Sequence, residues 1–295
     1  MSIDLRKGRP AFVLLSIAAT FAALAGPAAA EDKNSSTEKT LRICAAENEE
    51  PYSSHTGFGF ENKIAEILAK AMGREPEFVW YDKPAIYLVR DQLTKNACDI
   101  VIGLDTGDKR VATSDPYYRA PYVFVLPADS KLDITSWDSP DLQKAQKIGM
   151  AQDSPAQVML EKLGLFNRNF NYMKSLIGFK SKRNQYVRVP PQRLVSDVAE
   201  GKADVAVGFA PEVARYVKQR GDALKMVVIP DNATRADGER VPFHFDQSFG
   251  VRKDDQQLLS QVNDALKKAR SEIENVLREE GIPLEEPKTP EGRAG

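Results

Sequence analysis

The sequence predicts an α/β protein of two lobes joined by two extended crossings, with a cleft between the lobes. Three observations point there. The first is an internal echo. "ACDIVIGLD" (97–105) and "ADVAVGFAP" (203–211) share the order small residue, Asp, a short apolar run and Gly. Each run is rich in Val and Ile and is stopped by glycine, which reads as a strand buried on both faces. The second is that each run follows a helix-like segment, "IYLVRDQLTK" (86–95) and "PQRLVSDVAEGK" (191–202). The aspartate ahead of each strand is expected to cap or close the turn that enters it. The third is a pair of extended segments, "YVFVLPADS" (122–130) going out and "SFGVRKDD" (248–255) coming back. Helix, tight turn and parallel strand, found twice and joined by two crossings, make two α/β units, the first of them discontinuous.

The remaining elements follow in chain order. Arg6, Lys7 and Arg9 precede an apolar run at 11–25, Gly26-Pro27 breaks it, and Ala28-Ala29-Ala30 supplies a small-residue cleavage site. This three-part pattern is that of a secretory signal peptide covering 1–30, cut near Ala30 and leaving no membrane span. Residues 31–40 are polar and aperiodic, a flexible leader. "LRICAA" (41–46) reads as the first strand and "FENKIAEILAKAMG" (60–73) as a helix with Ile64, Ile67, Leu68, Ala71 and Met72 on one face and Gly73 at its end. "QKIGMA" (146–151) opens the second lobe. After it, Ser154 is the expected N-cap, Pro155 the first helical residue and Gly164 the terminator. Residues 256–280 carry Leu258, Leu259, Val262, Leu266, Ile273, Val276 and Leu277 at helical intervals, a long amphipathic helix for the first lobe. The resulting division is 41–125 with 247–284 for lobe one, 126–246 for lobe two, and a flexible tail at 285–295.

Composition narrows the function classes. Leaving out residues 1–30, which carry Asp4 and three basic residues, moves the formal charge from −1 to −3, with both signs mixed along the chain. That is no nucleic-acid surface. Two cysteines, Cys44 and Cys98, in an exported chain favour a disulfide over buried thiols, and the fold places them on neighbouring strands of lobe one. Such a bond contributes about 4 kcal/mol in the chain-entropy model. His55 and His244 are the only histidines, and no Cys/His cluster has metal-ligand spacing. Catalysis finds little support: no hydroxyl–histidine–carboxylate set and no phosphate-cradling loop is suggested.

In open α/β sheets, ligands sit beyond the carboxyl ends of the strands. Applied to both lobes, this rule builds one shared cleft from "ENEEPYS" (47–53), "GLDTGDKR" (103–110), "AQDSPAQ" (151–157) and "GFAPE" (208–212). The candidate site residues are therefore Glu50, Tyr52, Leu104, Asp105, Thr106, Arg110, Ser154, Phe209, Ala210 and Glu212. Tyr52 is either a stacking ring for a ligand or a rim aromatic. Arg110 is a ligand anchor, a solvated charge or, first, a bridge within its loop. Phe209, just past a strand end, faces the cleft. Glu212 needs no function beyond a favourable place at a helix N-terminus. Tyr117, Tyr118 and Tyr122 pack at the hinge. His55 is read as surface. The basic, aromatic stretch at 174–193 is a solvated loop or a docking patch for an acidic partner.

The order "EEPYS", "GFENKIAEILAKAMG", "CDIVIG", "SDPYYRAPYVFV", "ADVAVG" and "FGVRKDD" resembles the periplasmic substrate-binding proteins of the polar amino-acid type over nearly all of the exported chain. That resemblance implies the two-lobed periplasmic binding protein fold (type II). "GFENKIAE", "YYRAPYVFV", "SWDSPDLQ", "PFHFDQSFGVR" and "REEGIP" are similar to one branch, the J proteins of methanol oxidation operons (MoxJ/XoxJ type). Its members are thought to assist a periplasmic methanol dehydrogenase that carries pyrroloquinoline quinone. The resemblance thus implies a non-enzymatic, monomeric accessory protein without a cofactor of its own; the alternative is a transport receptor for a small solute other than a standard amino acid. In amino-acid binders of this type an aspartate after the second-lobe strand meets the ligand's ammonium, and Phe209 stands there instead. A buried ammonium without a carboxylate loses its hydration uncompensated. The arginine that usually forks onto the ligand's carboxylate corresponds to Arg110, in a loop longer than the family's.

Overall fold

A computed structural model of the chain describes residues 39–177 and 188–288. The expected signal peptide, most of the leader, the centre of the basic stretch and the end of the tail lie outside these residues. The first lobe is built on β1 (Thr40–Ala46), which pairs in parallel with β4 (Glu75–Tyr81) on one side and β5 (Ile100–Asp105) on the other. Two short strands, β2 (Asn48–Glu49) and β3 (Ser53–Ser54), form a hairpin after β1. The long strand β7 (Tyr118–Pro127) then leaves the lobe. Its first residues pair with the returning strand β11 (His244–Val251). Its later residues pair with β9 (Val205–Phe209) and β10 (Leu224–Val228) of the second lobe. β8 (Ile148–Met150) lies parallel to β9, and β6 (Ala112–Thr113) borders β11. One sheet in the order β4-β1-β5-β11-β7-β9-β8 therefore runs through both lobes.

The helices follow the apolar periodicity. α1 (Phe60–Ala71) buries Ile64 and Leu68, with Ile67, Ala71 and Met72 packed at the edge, as expected. Gly73 and Gly164 take positive φ beyond α1 and α3 (Pro155–Lys162). α4 (Phe166–Leu176), α5 (Pro191–Ala199) and α6 (Ala210–Lys218) cover the second lobe. α7 spans Gln256–Glu280, as its periodicity predicts, buries Val262, Leu266, Ile273 and Leu277, and returns to pack on α1. One apolar cluster runs from α1 and α7 to Leu194, Val195, Ala210 and Val213 of α5 and α6, so the lobes share buried surface.

Several expectations are corrected. Segment 86–95 is not one helix: α2 (Leu88–Asp91) is flanked by two short 3₁₀ turns and breaks at Gln92 (φ −121°, ψ −61°). That break lets Leu88, Val89 and Leu93 all reach the small core around the Cys44–Cys98 disulfide. Cys98 itself precedes β5 rather than lying in it. Asp99 and Asp204 do not close their own turns. Each accepts a backbone N–H from the start of the neighbouring strand: Arg42 in one lobe, Gln146 and Lys147 in the other. Ser154 stands at the N-cap position, but its hydroxyl donates back to the Ala151 carbonyl at 2.7 Å instead of accepting from the helix. The tail is not free from residue 285 onward. Glu285 pairs with Arg119 through backbone and side chain, and the Lys288 N–H donates to Asp246.

β5 is not stopped by its glycine either. It passes through Gly103, whose φ of +73° only glycine adopts without strain, and the register against β11 shifts there. The extra residue changes the alternation. Ile100 and Ile102 face the large cluster, whereas Leu104 joins Val101 in the core beside the disulfide. Leu104 is thereby turned away from the cleft.

Candidate functional site

The cleft is assembled where the loop after β1 and the first turn of α1 meet the first turn of α6 and the middle of β7. Tyr52 stacks on Phe60, with ring centroids 5.3 Å apart. Phe209 rests on Tyr122 at 5.2 Å and on Phe245 at 6.0 Å, so half-buried aromatic rings line one wall. Glu212 lies in the first turn of α6 and acts electrostatically on Tyr52, Tyr118 and Tyr122. Burial pushes its carboxyl up to about 7; the Arg188 guanidinium opposes that rise and Glu49 adds to it.

Glu61 is the residue that pattern reading missed. It is 6% exposed on the inner side of α1, and among the described residues its carboxyl has no hydrogen-bonding partner. Burial, reinforced by nearby Glu49, pushes it up to about 8. Gly103 makes room for it: a Cβ there would lie 2.2 Å from Glu61 Oε1. The positive φ of Gly103 and the carboxyl against it are thus two parts of one arrangement. Tyr118, 3% exposed and under the influence of Glu61, Asp105 and Glu212, has a hydroxyl that neither donates nor accepts. Glu49 completes the acidic set, but it is engaged: Arg188 pairs with it and the Ala85 N–H donates to it.

The other sequence-predicted residues divide. Asp105 accepts from Gln247 at 2.7 Å, within range of Tyr118 and Tyr122. Thr106 is bound to β11, its hydroxyl 2.6 Å from Ser248 and its N–H donating to Asp246. Arg110 forks onto Asp108, its neighbour two residues back, and holds that carboxyl below the usual range; the bridge within the loop is what forms. Glu50 is exposed, accepts from Ser54 and lines a groove with Tyr216 and Arg215 at the cleft mouth. Ala210 is fully buried and offers only backbone. Ser154 packs beside Arg240 and Val241, within its own lobe. His55 is exposed and stacks on Trp80 at 4.7 Å.

Two ion-pair systems frame the cleft. Arg215 forks onto Glu280 at 2.6 and 2.8 Å, and Lys218 donates to the Glu279 carbonyl, joining α6 to the end of α7. At the hinge, buried Arg119 meets Asp246 at 3.2 Å, Asp231 at 3.3 Å and Glu285 at 3.4 Å. Asp231 also holds Arg240 and the Phe243 N–H, and His244 lies 2.5 Å from Glu285. Among the described residues, no group of three or more His, Cys, Asp or Glu is placed to hold a metal, and no helix is long and apolar enough to cross a membrane.

Comparison with known proteins places this bilobal architecture. The model of the bacterial extracellular solute-binding proteins, family 3, matches residues 41–275. This chain belongs to that family. It is 46% identical to the protein MoxJ of Methylorubrum extorquens over 95% of this chain and 96% of that one. It is 40% identical to MoxJ of Paracoccus denitrificans over 89% and 93% of the two chains. The crystal structure of MxaJ from Methlophaga aminisulfidivorans MPT superposes with a TM-score of 0.80 at 55% identity, covering 83% of this chain and all of that one. XoxJ from Methylobacterium extorquens AM1, described as a periplasmic binding protein, gives 0.60 at 29% over 84% of this chain and all of that one. The chain sits in the MoxJ/XoxJ branch of the family, and the two-lobed binding-protein fold follows from these likenesses.

Proposed function

We propose that the chain is a non-enzymatic periplasmic accessory protein of a methanol oxidation system, assisting maturation or activation of a methanol dehydrogenase that carries pyrroloquinoline quinone. The observation that carries this reading is the near full-length likeness to MoxJ and MxaJ. The site supports it. A receptor for free amino acids needs a guanidinium for the ligand's carboxylate. Arg110 is committed to Asp108, Arg119 to the hinge acids and Arg188 to Glu49. The lobes are also held by their own side chains, through Arg215 on Glu280 and Arg188 on Glu49, so closure does not wait for a solute. Among the described residues these arginines leave no zwitterion clamp. The exported chain works in the periplasm, with its signal peptide removed near Ala30.

The test is direct. Purified exported chain and purified dehydrogenase, in apo and cofactor-loaded forms, are mixed at micromolar concentration and followed by cross-linking and size-exclusion chromatography. The accessory reading expects a complex with at least one form, and contact with neither form overturns it. A transport receptor would instead show a large rise in melting temperature with one specific free solute, since a ligand above its Kd stabilises by RT ln(1 + [L]/Kd).

A further inference from the structure

Among the described residues, Glu61 and Glu212 of the cleft have no cation bonded to their carboxyls. Among the described residues, the almost completely buried Glu61 carboxyl has no partner, Glu212 faces the same aromatic wall, and the Tyr118 hydroxyl, under the influence of both, makes no hydrogen bond. Glu49 and Asp105 add two further acids at the edges. The described basic group at the cleft, Arg188, is bonded to Glu49; it pulls on Glu212 only through space and is not among the charges acting on Glu61. A buried carboxylate without a partner costs several kcal/mol, and a protein evades that cost by protonating the group or by admitting a cation. The rings of Tyr52, Tyr122, Phe209 and Phe245 pack at the same cleft, and aromatic rings attract ammonium and guanidinium groups.

We propose that the interlobe cleft is a binding site for one organic cation, an alkylammonium or guanidinium group, with Glu61 and Glu212 as counter-ions, the Tyr118 hydroxyl oxygen as acceptor, and the aromatic wall around the ligand's carbon chain. The unusual specificity follows from what is absent as well as from what is present. With Arg110 and Arg188 engaged, a ligand carboxylate meets no free guanidinium among the described residues, so the site selects a cation over a zwitterion. The cation arrives either as a free amine or as the lysine or arginine side chain of a partner protein. This proposal does not rest on the accessory reading, because the same cleft serves a receptor.

At neutral pH, Glu61 and Glu212 hold protons for part or all of the time, with Glu49, Asp105, Tyr52, Tyr117, Tyr118, Tyr122 and Arg188 as the surrounding titratable and charged groups. Cation binding therefore releases protons. The experiment is isothermal titration of the exported chain at pH 7 with n-butylammonium chloride, N-acetyl-lysine methylamide and N-acetyl-arginine methylamide. Sodium chloride and the neutral isostere n-butanol are controls, and each probe is run in buffers of different ionisation enthalpy. The expected result is saturable, proton-releasing binding of the charged probes, at least about tenfold tighter than butanol. Glu61→Gln and Glu212→Gln weaken it about tenfold or more, whereas exposed Glu272→Gln leaves it unchanged. Tighter binding of butylammonium assigns the site to a free amine; tighter binding of the blocked residues assigns it to a partner's side chain. Equal binding of butanol, no proton release, or unchanged affinity in Glu61→Gln each overturns the proposal. If Glu61→Gln fails to fold by near-UV circular dichroism, Glu212→Gln and the proton release of the wild type decide. Cation binding can succeed where the dehydrogenase complex fails, and the reverse, so the two readings stand or fall separately.

Discussion

At the hinge, Asp231, Asp246 and Glu285 close on the single guanidinium of Arg119, with Arg240 and His244 engaging the outer two. In the cleft, Glu61 is buried to a similar degree and meets no cation among the described residues, and Glu212 has only the through-space pull of an Arg188 already given to Glu49. The hinge acids bind the out-going strand, the returning strand and the chain's end into one joint. Among the described residues, Glu61 and Glu212 accept no hydrogen bond from the chain. Buried carboxylates are thus of two kinds here: those whose partner is in the chain hold the fold, and those without one mark where a ligand completes the structure.

Substitutions can break this contrast. Arg119→Met leaves three acids facing one another at the joint, and removing one partner from a buried ion cluster costs about 3–5 kcal/mol. Urea denaturation is expected to show a loss of that size, and a loss under about 1 kcal/mol would place the hinge acids with those of the cleft. Arg215→Ala removes the fork between α6 and α7. The expected loss is smaller, about 1–2 kcal/mol, together with a larger radius of gyration in X-ray scattering as the lobes part. Unchanged scattering would show that the shared apolar cluster holds the lobes without the bridge. Arg110→Ala is expected to do least, within about 0.5 kcal/mol and with no effect on cation binding, because its bridge to Asp108 is local and half exposed. A loss of binding in that variant would return Arg110 to the cleft.

Most of the fold was legible because it is written in local pattern. α7 follows from its apolar interval, and the crossings β7 and β11 overlap the extended segments read at 122–130 and 248–255. The echo of the two lobes even extends to Asp99 and Asp204, which hold the same place in each. What sequence reading missed depends on residues far apart in the chain. Arg119 lies inside an aromatic run that reads as packing, and its three partners sit more than 100 residues downstream. Glu61 reads as an ordinary first-turn acid, favourable at any helix N-terminus. Only the bulge at Gly103, which brings bare backbone against its carboxyl, shows that it points inward. The same bulge turned Leu104 away from the cleft, since one inserted residue reverses every later side chain. Phe209 stands where the resemblance leads one to expect an aspartate, and the acids of this cleft, Glu61 and Glu212, lie on other elements.

The contrast has a definite pH signature. Glu61 has a folded value near 8 against 4.5 for a free side chain, so between those values the folded protein keeps a proton that the unfolded chain has released. Its contribution lowers stability steadily as pH rises through that window, by about 1.4 kcal/mol per unit, and is constant above it. The sharpest single measurement is carbon-detected NMR of the Glu61 side-chain carboxyl, assigned by its loss in Glu61→Gln and followed from pH 4 to 10. The predicted result is a midpoint near 8 that falls when n-butylammonium is added. A midpoint in the ordinary carboxylate range, unmoved by the amine, would mean that this carboxyl is already satisfied and that the cleft has no vacancy for a cation.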